Sequence, residues 1–179
     1  MDIFDILLAK KLGGGGGPAP SGTLEISANG NYDVTAYAAA SVSVASSGDQ
    51  LSAAASGAAT SITLSGITSI RRYAFYYYQR LKTVTLPSGL DNILGSAFQN
   101  CGLTEVTIPA SVQSIVGKAF ANNSALKTVR FLGTPSSSGL AATIFDSCPL
   151  LTDIYVPWAE GTVSYAPWGA TNATVHYNS

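Results

Sequence analysis

One apolar phrase recurs four times through the second half of the chain, and it leaves little choice of architecture. Its anchor is a Phe: Ala74-Phe75, Ala97-Phe98, Ala119-Phe120 and, in weaker form, Ile144-Phe145, spaced 23, 22 and 25 residues apart. After each Phe comes Leu-x-x-Val-x-Leu-Pro or a close variant: Leu81…Val84…Leu86-Pro87, Leu103…Val106…Ile108-Pro109, Leu126…Val129…Phe131 and Leu151…Ile154…Val156-Pro157. Ile70, Ile93, Ile115 and Leu140 each stand five residues before the Phe. Units this short cannot bury an apolar face alone, so they must stack on one another.

The period and texture are those of a leucine-rich repeat solenoid. In Leu-x-x-Val-x-Leu the last two apolar residues alternate with polar ones, which points them inward from a short strand. Pro then ends the strand by removing a backbone donor. The expected coil has short parallel strands on one face and irregular or helical turns on the other, where the Phe rings pack on their counterparts. Ile62 and Leu64, followed by Ile67 and Ile70, read as a truncated first coil and bring the strand count to five. An insertion in the third coil, Leu132–Gly139, is expected to bulge from the surface.

Net charge is -1 and 11% of the 179 residues are charged, which removes the electrostatic case for nucleic-acid binding. With 46% apolar residues the composition is not that of a disordered chain. Cys101 and Cys148 each lie three residues after an anchor Phe, in the slot that Tyr78 and Asn123 fill elsewhere. That phase stacks them on one line two coils apart, about 10 Å or more at the spacing of adjacent strands. A disulfide needs Cα atoms within about 7 Å, so two buried free thiols are expected. A single His and no clustered ligands make a metal or other cofactor unexpected.

The N-terminal segment Met1–Leu12 places Asp2 and Asp5 first and Lys10 and Lys11 last, the reverse of a signal peptide. Its apolar run is too short to span a membrane, and the charge order suits a helix dipole. Ile3, Phe4, Leu7, Leu8 and Leu12 form one stripe at helical spacing. A helix this short is marginal alone, so its stripe docks either on its own chain or on another subunit. The Gly13–Gly17 run and Pro18-Ala19-Pro20 form a tether that favours the second. Thr23–Val34, with Asn29-Gly30 inside it, reads as a β-hairpin, and Val42-Ser43-Val44 offers a third strand. The expected organisation is an anchoring helix over 1–12, the tether over 13–22, a small β module and loop over 23–58, and the solenoid with its C-terminal cap over 59–179.

The phrases Ser114-Ile115-Val116-Gly117-Lys118-Ala119-Phe120-Ala121-Asn122-Asn123-Ser124-Ala125-Leu126-Lys127-Thr128-Val129 and Ala97-Phe98-Gln99-Asn100-Cys101-Gly102-Leu103-Thr104-Glu105-Val106-Thr107-Ile108-Pro109 resemble BspA-like leucine-rich repeats. The resemblance covers about residues 59–157. It departs at Tyr77-Tyr78, where the family prefers Asn-Cys, and at the third-coil insertion. It implies a solenoid of the kind found in bacterial surface proteins and prophage-encoded proteins. The stretch Ile26–Ala38 is similar to a phrase of tail and baseplate proteins from phages of Gram-positive bacteria, as is the helix followed by polyglycine. The closing Val156–Gly161 and Ala166–Thr174 resemble the terminal cap of such repeat proteins.

No catalytic constellation is visible, and the chain is not expected to be an enzyme. The ten carboxylates are scattered, and none pairs with His176 at a recognisable spacing. His176, in Thr174-Val175-His176-Tyr177, reads as a surface or edge residue of the last capping strand. Gly13–Gly17 lacks the strand-loop-helix context and Lys-Ser/Thr of a phosphate loop. Asn122-Asn123-Ser124 and Asn172-Ala173-Thr174 match glycosylation acceptors by chance if there is no secretion route. Arg71-Arg72 beside Tyr73, Tyr76, Tyr77 and Tyr78 evokes stacking on sugars or bases, although the repeat phase accounts for Tyr73 and Tyr76.

The candidate ligand surface is the exposed side of the strand ladder, because solenoids bind along such extended faces. Its polar residues alternate with the core: Ser61 and Thr63, Thr83 and Thr85, Glu105 and Thr107, Thr128 and Arg130, Asp153 and Tyr155. The charged and aromatic end, with Glu105, Thr128, Arg130, Asp153 and Tyr155, is the expected binding site. The resemblances imply a structural protein of a phage virion, of tail-tip or fibre type, anchored by its N-terminal helix on other virion proteins. The solenoid would then meet a glycan or protein on the host surface. A bacterial cell-surface adhesin and a capsid decoration protein are the alternatives. A homo-oligomer is expected, with a trimer as one arrangement.

Overall fold

The computed structural model describes residues 60–179 apart from Gly66 and the side chain of Ser65, together with the backbone of three strands nearer the N-terminus. The expected 1–12 helix and 13–22 tether lie outside the described residues. Among the described residues there are twelve strands: β1 Thr23–Ser27, β2 Ser41–Ala45, β3 Gln50–Leu51, β4 Ser61–Ser65, β5 Ser69–Ile70, β6 Thr83–Thr85, β7 Asn92–Ile93, β8 Glu105–Ile108, β9 Ser114–Ile115, β10 Thr128–Phe131, β11 Asp153–Val156 and β12 Thr174–Tyr177. Every pairing among these strands is parallel, and they sort into three ladders, β1-β2-β4-β6, β8-β10-β11-β12 and β3-β5-β7-β9. Each repeat therefore makes one coil: a main strand, a short second strand, and a turn side carrying the Phe.

Of the two options for the turn side, the chain takes the irregular one, and no helix forms among the described residues. Successive turns hydrogen-bond from coil to coil, as in Phe75 N to Ala97 O at 2.7 Å, Phe98 N to Ala119 O at 2.7 Å and Phe120 N to Ile144 O at 3.1 Å. The bends are tight enough that non-glycine residues take positive φ two positions before and after the Phe, among them Ser96 at 59°, Asn100 at 60°, Lys118 at 63° and Asn122 at 58°. Asn and Ser suit that conformation because a short polar side chain tolerates the left-handed region.

The four Phe rings form one buried column. Centroid separations are 4.9 Å for Phe75–Phe98, 5.2 Å for Phe98–Phe120 and 6.0 Å for Phe120–Phe145, with the first two pairs tilted by only 6°. Ile70, Ile93, Ile115 and Leu140 make the second column along β5, β7, β9 and the isolated bridge Ile115–Leu140. The third column is the inward face of the main strands, where β8 reads exposed-buried-exposed-buried along Glu105, Val106, Thr107 and Ile108. The alternation expected from Leu-x-x-Val-x-Leu is thus present.

At the C-terminal end the indoles close the stack. Trp168 O accepts from Phe145 N at 2.9 Å, the place in the ladder that Ala97, Ala119 and Ile144 hold in earlier coils. Its ring is fully buried, lies 5.8 Å from Phe131 and donates Nε1 to Ser164 O at 2.8 Å, while Trp158 packs edge-on to Phe131 at 5.3 Å. An apolar column that ends in solvent would lose its contacts on one side, and the two indoles supply them. The third-coil insertion leaves Leu132 and Ser136–Ser138 exposed, as a bulge would, but it is pinned: Pro135 is buried, Ser136 Oγ donates to Gln113 O, and Ser137 O accepts from Ser164 N.

At the other end, parallel strands extend the main ladder. Thr23–Ser27 pairs in parallel with Ser41–Ala45, which in turn pairs in register with Ser61–Ser65. Strand β4 would otherwise present an open row of backbone donors and acceptors, and parallel addition of β2 and then β1 covers it. The Asn29-Gly30 turn and the expected second arm fall outside the described residues.

Candidate functional site

Parallel in-register pairing turns the exposed positions of successive strands into straight rows about 4.8 Å apart. Two such rows cross the C-terminal ladder. One runs Thr107, Arg130, Tyr155, His176; the other runs Glu105, Thr128, Asp153, Thr174. Solenoid geometry therefore brings together three residues that stand 23 and 2 positions apart in sequence, Arg130, Asp153 and Tyr155, and adds a fourth, His176.

In the first row the side chains stack. The Arg130 guanidinium lies 4.3 Å from the Tyr155 ring centroid, and the Tyr155 and His176 rings lie 4.5 Å apart at 14°. A guanidinium within about 6 Å of an aromatic face is attracted by the ring quadrupole, by roughly 0.5–1 kcal/mol at an exposed site. The ring stack thus holds a charged fork in a defined place on an open surface, where a lone Arg would wander through its rotamers.

The second row fixes the imidazole. Asp153 Oδ1 lies 2.8 Å from His176 Nε2, and Asp153 Oδ2 accepts from Thr152 Oγ1 at 2.8 Å. A carboxylate can only accept, so this contact puts a proton on Nε2. The hydrogen bond from His176, and after it the one from Thr152, hold the Asp153 carboxyl below its ordinary range. Both side chains remain part-exposed, so the pair orders the surface more than it stabilises the fold.

A guanidinium, two stacked rings and a carboxylate thus stand side by side on one open face. Among the described residues no three His, Cys, Asp or Glu side chains gather in metal-ligating range. Glu105 is exposed and Thr128 part-exposed at the far end of the second row, with Glu105 making no ion pair to Arg130. They border the cluster without joining its contacts.

The two thiols are buried and free, as their phase requires. Burial pushes the Cys101 thiol up to about 12 and that of Cys148 to about 11, which leaves both unreactive. Each donates to a Phe carbonyl of the preceding coil, Cys101 to Phe75 at 3.1 Å and Cys148 to Phe120 at 3.3 Å.

A family model described as BspA type Leucine rich repeat region (6 copies) matches residues 54–165. The chain belongs to that family. No curated protein sequence matches it significantly. Among solved structures, the leucine-rich repeat protein TpLRR of T. pallidum aligns with a TM-score of 0.60 at 20% identity, over 90% of this chain and 79% of that one. The pneumococcal vaccine antigen PcpA aligns at 0.56 and 20% identity, covering 76% of this chain and 34% of PcpA. A leucine-rich repeat protein of Eubacterium ventriosum aligns at 0.51 and 20%, over 76% of this chain and 46% of its own. At such identities the likeness is one of fold.

Within this BspA-type solenoid the candidate face follows from strand phase, which sequence supplies. His176 is the residue that sequence reasoning leaves at the edge. A signal for it exists: Thr174-Val175-His176-Tyr177 repeats the polar-apolar alternation of Asp153-Ile154-Tyr155-Val156 one coil on. Its pairing with Asp153 depends on the register of β12, which the cap between Pro157 and Ala173 conceals in the sequence.

Proposed function

We propose that the chain is a non-catalytic attachment module whose BspA-type solenoid contacts a partner through the Arg130–Tyr155–His176 row and Asp153. The observation that carries this reading is the stacked guanidinium on an exposed strand face, where ring stacking and a charged fork stand ready for a carboxylate, sulfate or hydroxyl-rich ligand. Solenoids present extended faces for such contacts. In our reading the module belongs to a phage particle, of tail-tip or fibre type, with Ile3, Phe4, Leu7, Leu8 and Leu12 seated on neighbouring virion proteins. The support is the sequence resemblance of the N-terminal helix, polyglycine tether and Ile26–Ala38 to phage tail and baseplate proteins. A second reading, a module of a bacterial cell surface, is favoured by the bacterial origin of the proteins with the same fold, one of them a vaccine antigen.

The test is binding of purified full-length protein to candidate host cells, with Arg130→Ala, Tyr155→Ala and His176→Ala compared by flow cytometry and thermal melts. Loss of cell binding with an unchanged melt is the expected outcome. Full binding by all three variants would sink the assignment of this face. Immunogold labelling of particles and of producing cells then separates the two settings.

A further inference from the structure

The first complete coil carries a second surface that the strand face does not explain. On its turn side Tyr73, Tyr76 and Tyr77 are 54%, 41% and 58% exposed, and they touch one another: Tyr73–Tyr76 at 5.4 Å and Tyr76–Tyr77 at 5.3 Å between centroids. Arg72 lies 5.6 Å from the Tyr73 ring. In the next coil the same three slots hold Ser96, Gln99 and Asn100. Repeat phase, the expected account of Tyr73 and Tyr76, places their slots but does not call for aromatic rings there: the tyrosines replace small or polar residues on the outside of an otherwise repeating wall, and nothing in the packing of the column asks for them.

Backbone conformation sharpens the point. Tyr73 and Tyr77 sit at φ of 62° and 68°, where later coils use Ser96 and Lys118 in the first slot and Asn100, Asn122 and Ser147 in the second. A bulky side chain is the less comfortable occupant of the left-handed region. Here that discomfort is kept without any gain in burial.

Charge says what covers the patch. Arg71, Arg72, Arg80 and Lys82 lie on this one coil and all are exposed, while the sequence has no acidic residue between Asp49 and Asp91. None of the four is in an ion pair among the described residues. We propose that the Arg72–Tyr73–Tyr76–Tyr77 surface is a protein-binding site for an acidic polypeptide segment, separate from the strand face. Tyr and Arg are the residues that dominate the energetics of protein interfaces, because they bring large rigid contact area and multiple donors. The rings are inclined at 80° and 53° to each other, so they form a knobbed surface rather than a flat shelf for a sugar ring.

The experiment is a selection of short random peptides on immobilised full-length protein, counter-selected on the triple variant Tyr73→Ser, Tyr76→Gln, Tyr77→Asn. That variant installs the second coil's own residues at the same slots, so the fold has a template for accepting them. Selected peptides should be rich in Asp and Glu. They should bind the triple variant more weakly by at least about tenfold and weaken with rising salt. Should the triple variant melt early, Tyr77→Asn alone and the charge variant Arg71→Gln/Arg72→Gln carry the same comparison. Enrichment without acidic bias, equal binding by the variants, or binding of acidic glycans on an array with no peptide selected would each overturn the proposal.

Discussion

The side-chain amide of Asn123 donates to the carbonyl of Phe98, one coil back, at 2.8 Å. The same Nδ2 reaches Phe120 O at 2.8 Å within its own coil. Cys101 and Cys148 make the equivalent contact from the equivalent slot, to Phe75 O and Phe120 O. One position of the repeat thus ties each coil to the one before, at the carbonyl of the residue whose ring is being stacked. Tyr78 occupies the slot in the first complete coil and packs its ring edge-on to Phe75 at 5.6 Å.

Asn123 is fully buried, and its Oδ1 has no partner. Cys in this slot donates to the same carbonyl and carries no second polar atom to satisfy. Asn123→Cys is therefore expected to stay within about 1 kcal/mol of the parent. Asn123→Ala should lose ~1–3 kcal/mol by stranding the carbonyls it serves. Chemical denaturation of the two variants measures the difference.

Phe98 is stacked on both sides, by Phe75 and by Phe120. Truncation to Ala opens a cavity in the middle of a continuous column, at an expected cost of ~3–5 kcal/mol. Phe98→Leu should cost markedly less because it refills much of the space. A melt of Phe98→Ala indistinguishable from the parent would refute the column as the main source of cohesion.

The buried thiols give an alkaline prediction. Their folded values, about 12 for Cys101 and about 11 for Cys148, lie above the ordinary thiol range near 8.5. A raised value means that the fold favours the neutral thiol. That contribution is whole below about pH 8.5 and is lost as pH climbs from there towards 11 and 12. Stability should fall over that window, and less so in a Cys101→Ser/Cys148→Ser variant. A thiol reagent at pH 8 should label the unfolded chain and spare the folded one.

Asp153 gives the acid counterpart. Its carboxyl is held below the ordinary value of about 3.9, first by the hydrogen bond from His176. A depressed carboxylate contributes above its unfolded value, and the contribution is lost as pH falls through the folded one. The Asp153–His176 contact should therefore survive through the ordinary carboxylate range and break only as pH falls through the lowered folded value. Carboxyl NMR titration checks this, with His176→Ala expected to move the Asp153 midpoint back towards the ordinary value.

The sequence by itself determined the coil: where each strand begins, which residues face inward, and that Phe75, Phe98, Phe120 and Phe145 share a column. Those features are periodic, and a period of 22 to 25 residues is legible because each coil repeats the same local problem. It also placed Arg130, Asp153 and Tyr155 on one open face, since strand phase is a local property. What tertiary structure decided lies at the ends, where the period stops. His176 gains Asp153 and the Tyr155 ring only because β12 pairs in register after an aperiodic cap. Thr23–Ser27 joins the parallel ladder through β2, a pairing between strands distant in sequence that gives β4's edge its cover. Similarly, the tyrosines of the first complete coil become a surface only when the turn side is seen to face solvent. Local pattern fixes a repeat, but only neighbours in space tell its ends what to pair with and which of its side chains are left to meet a partner.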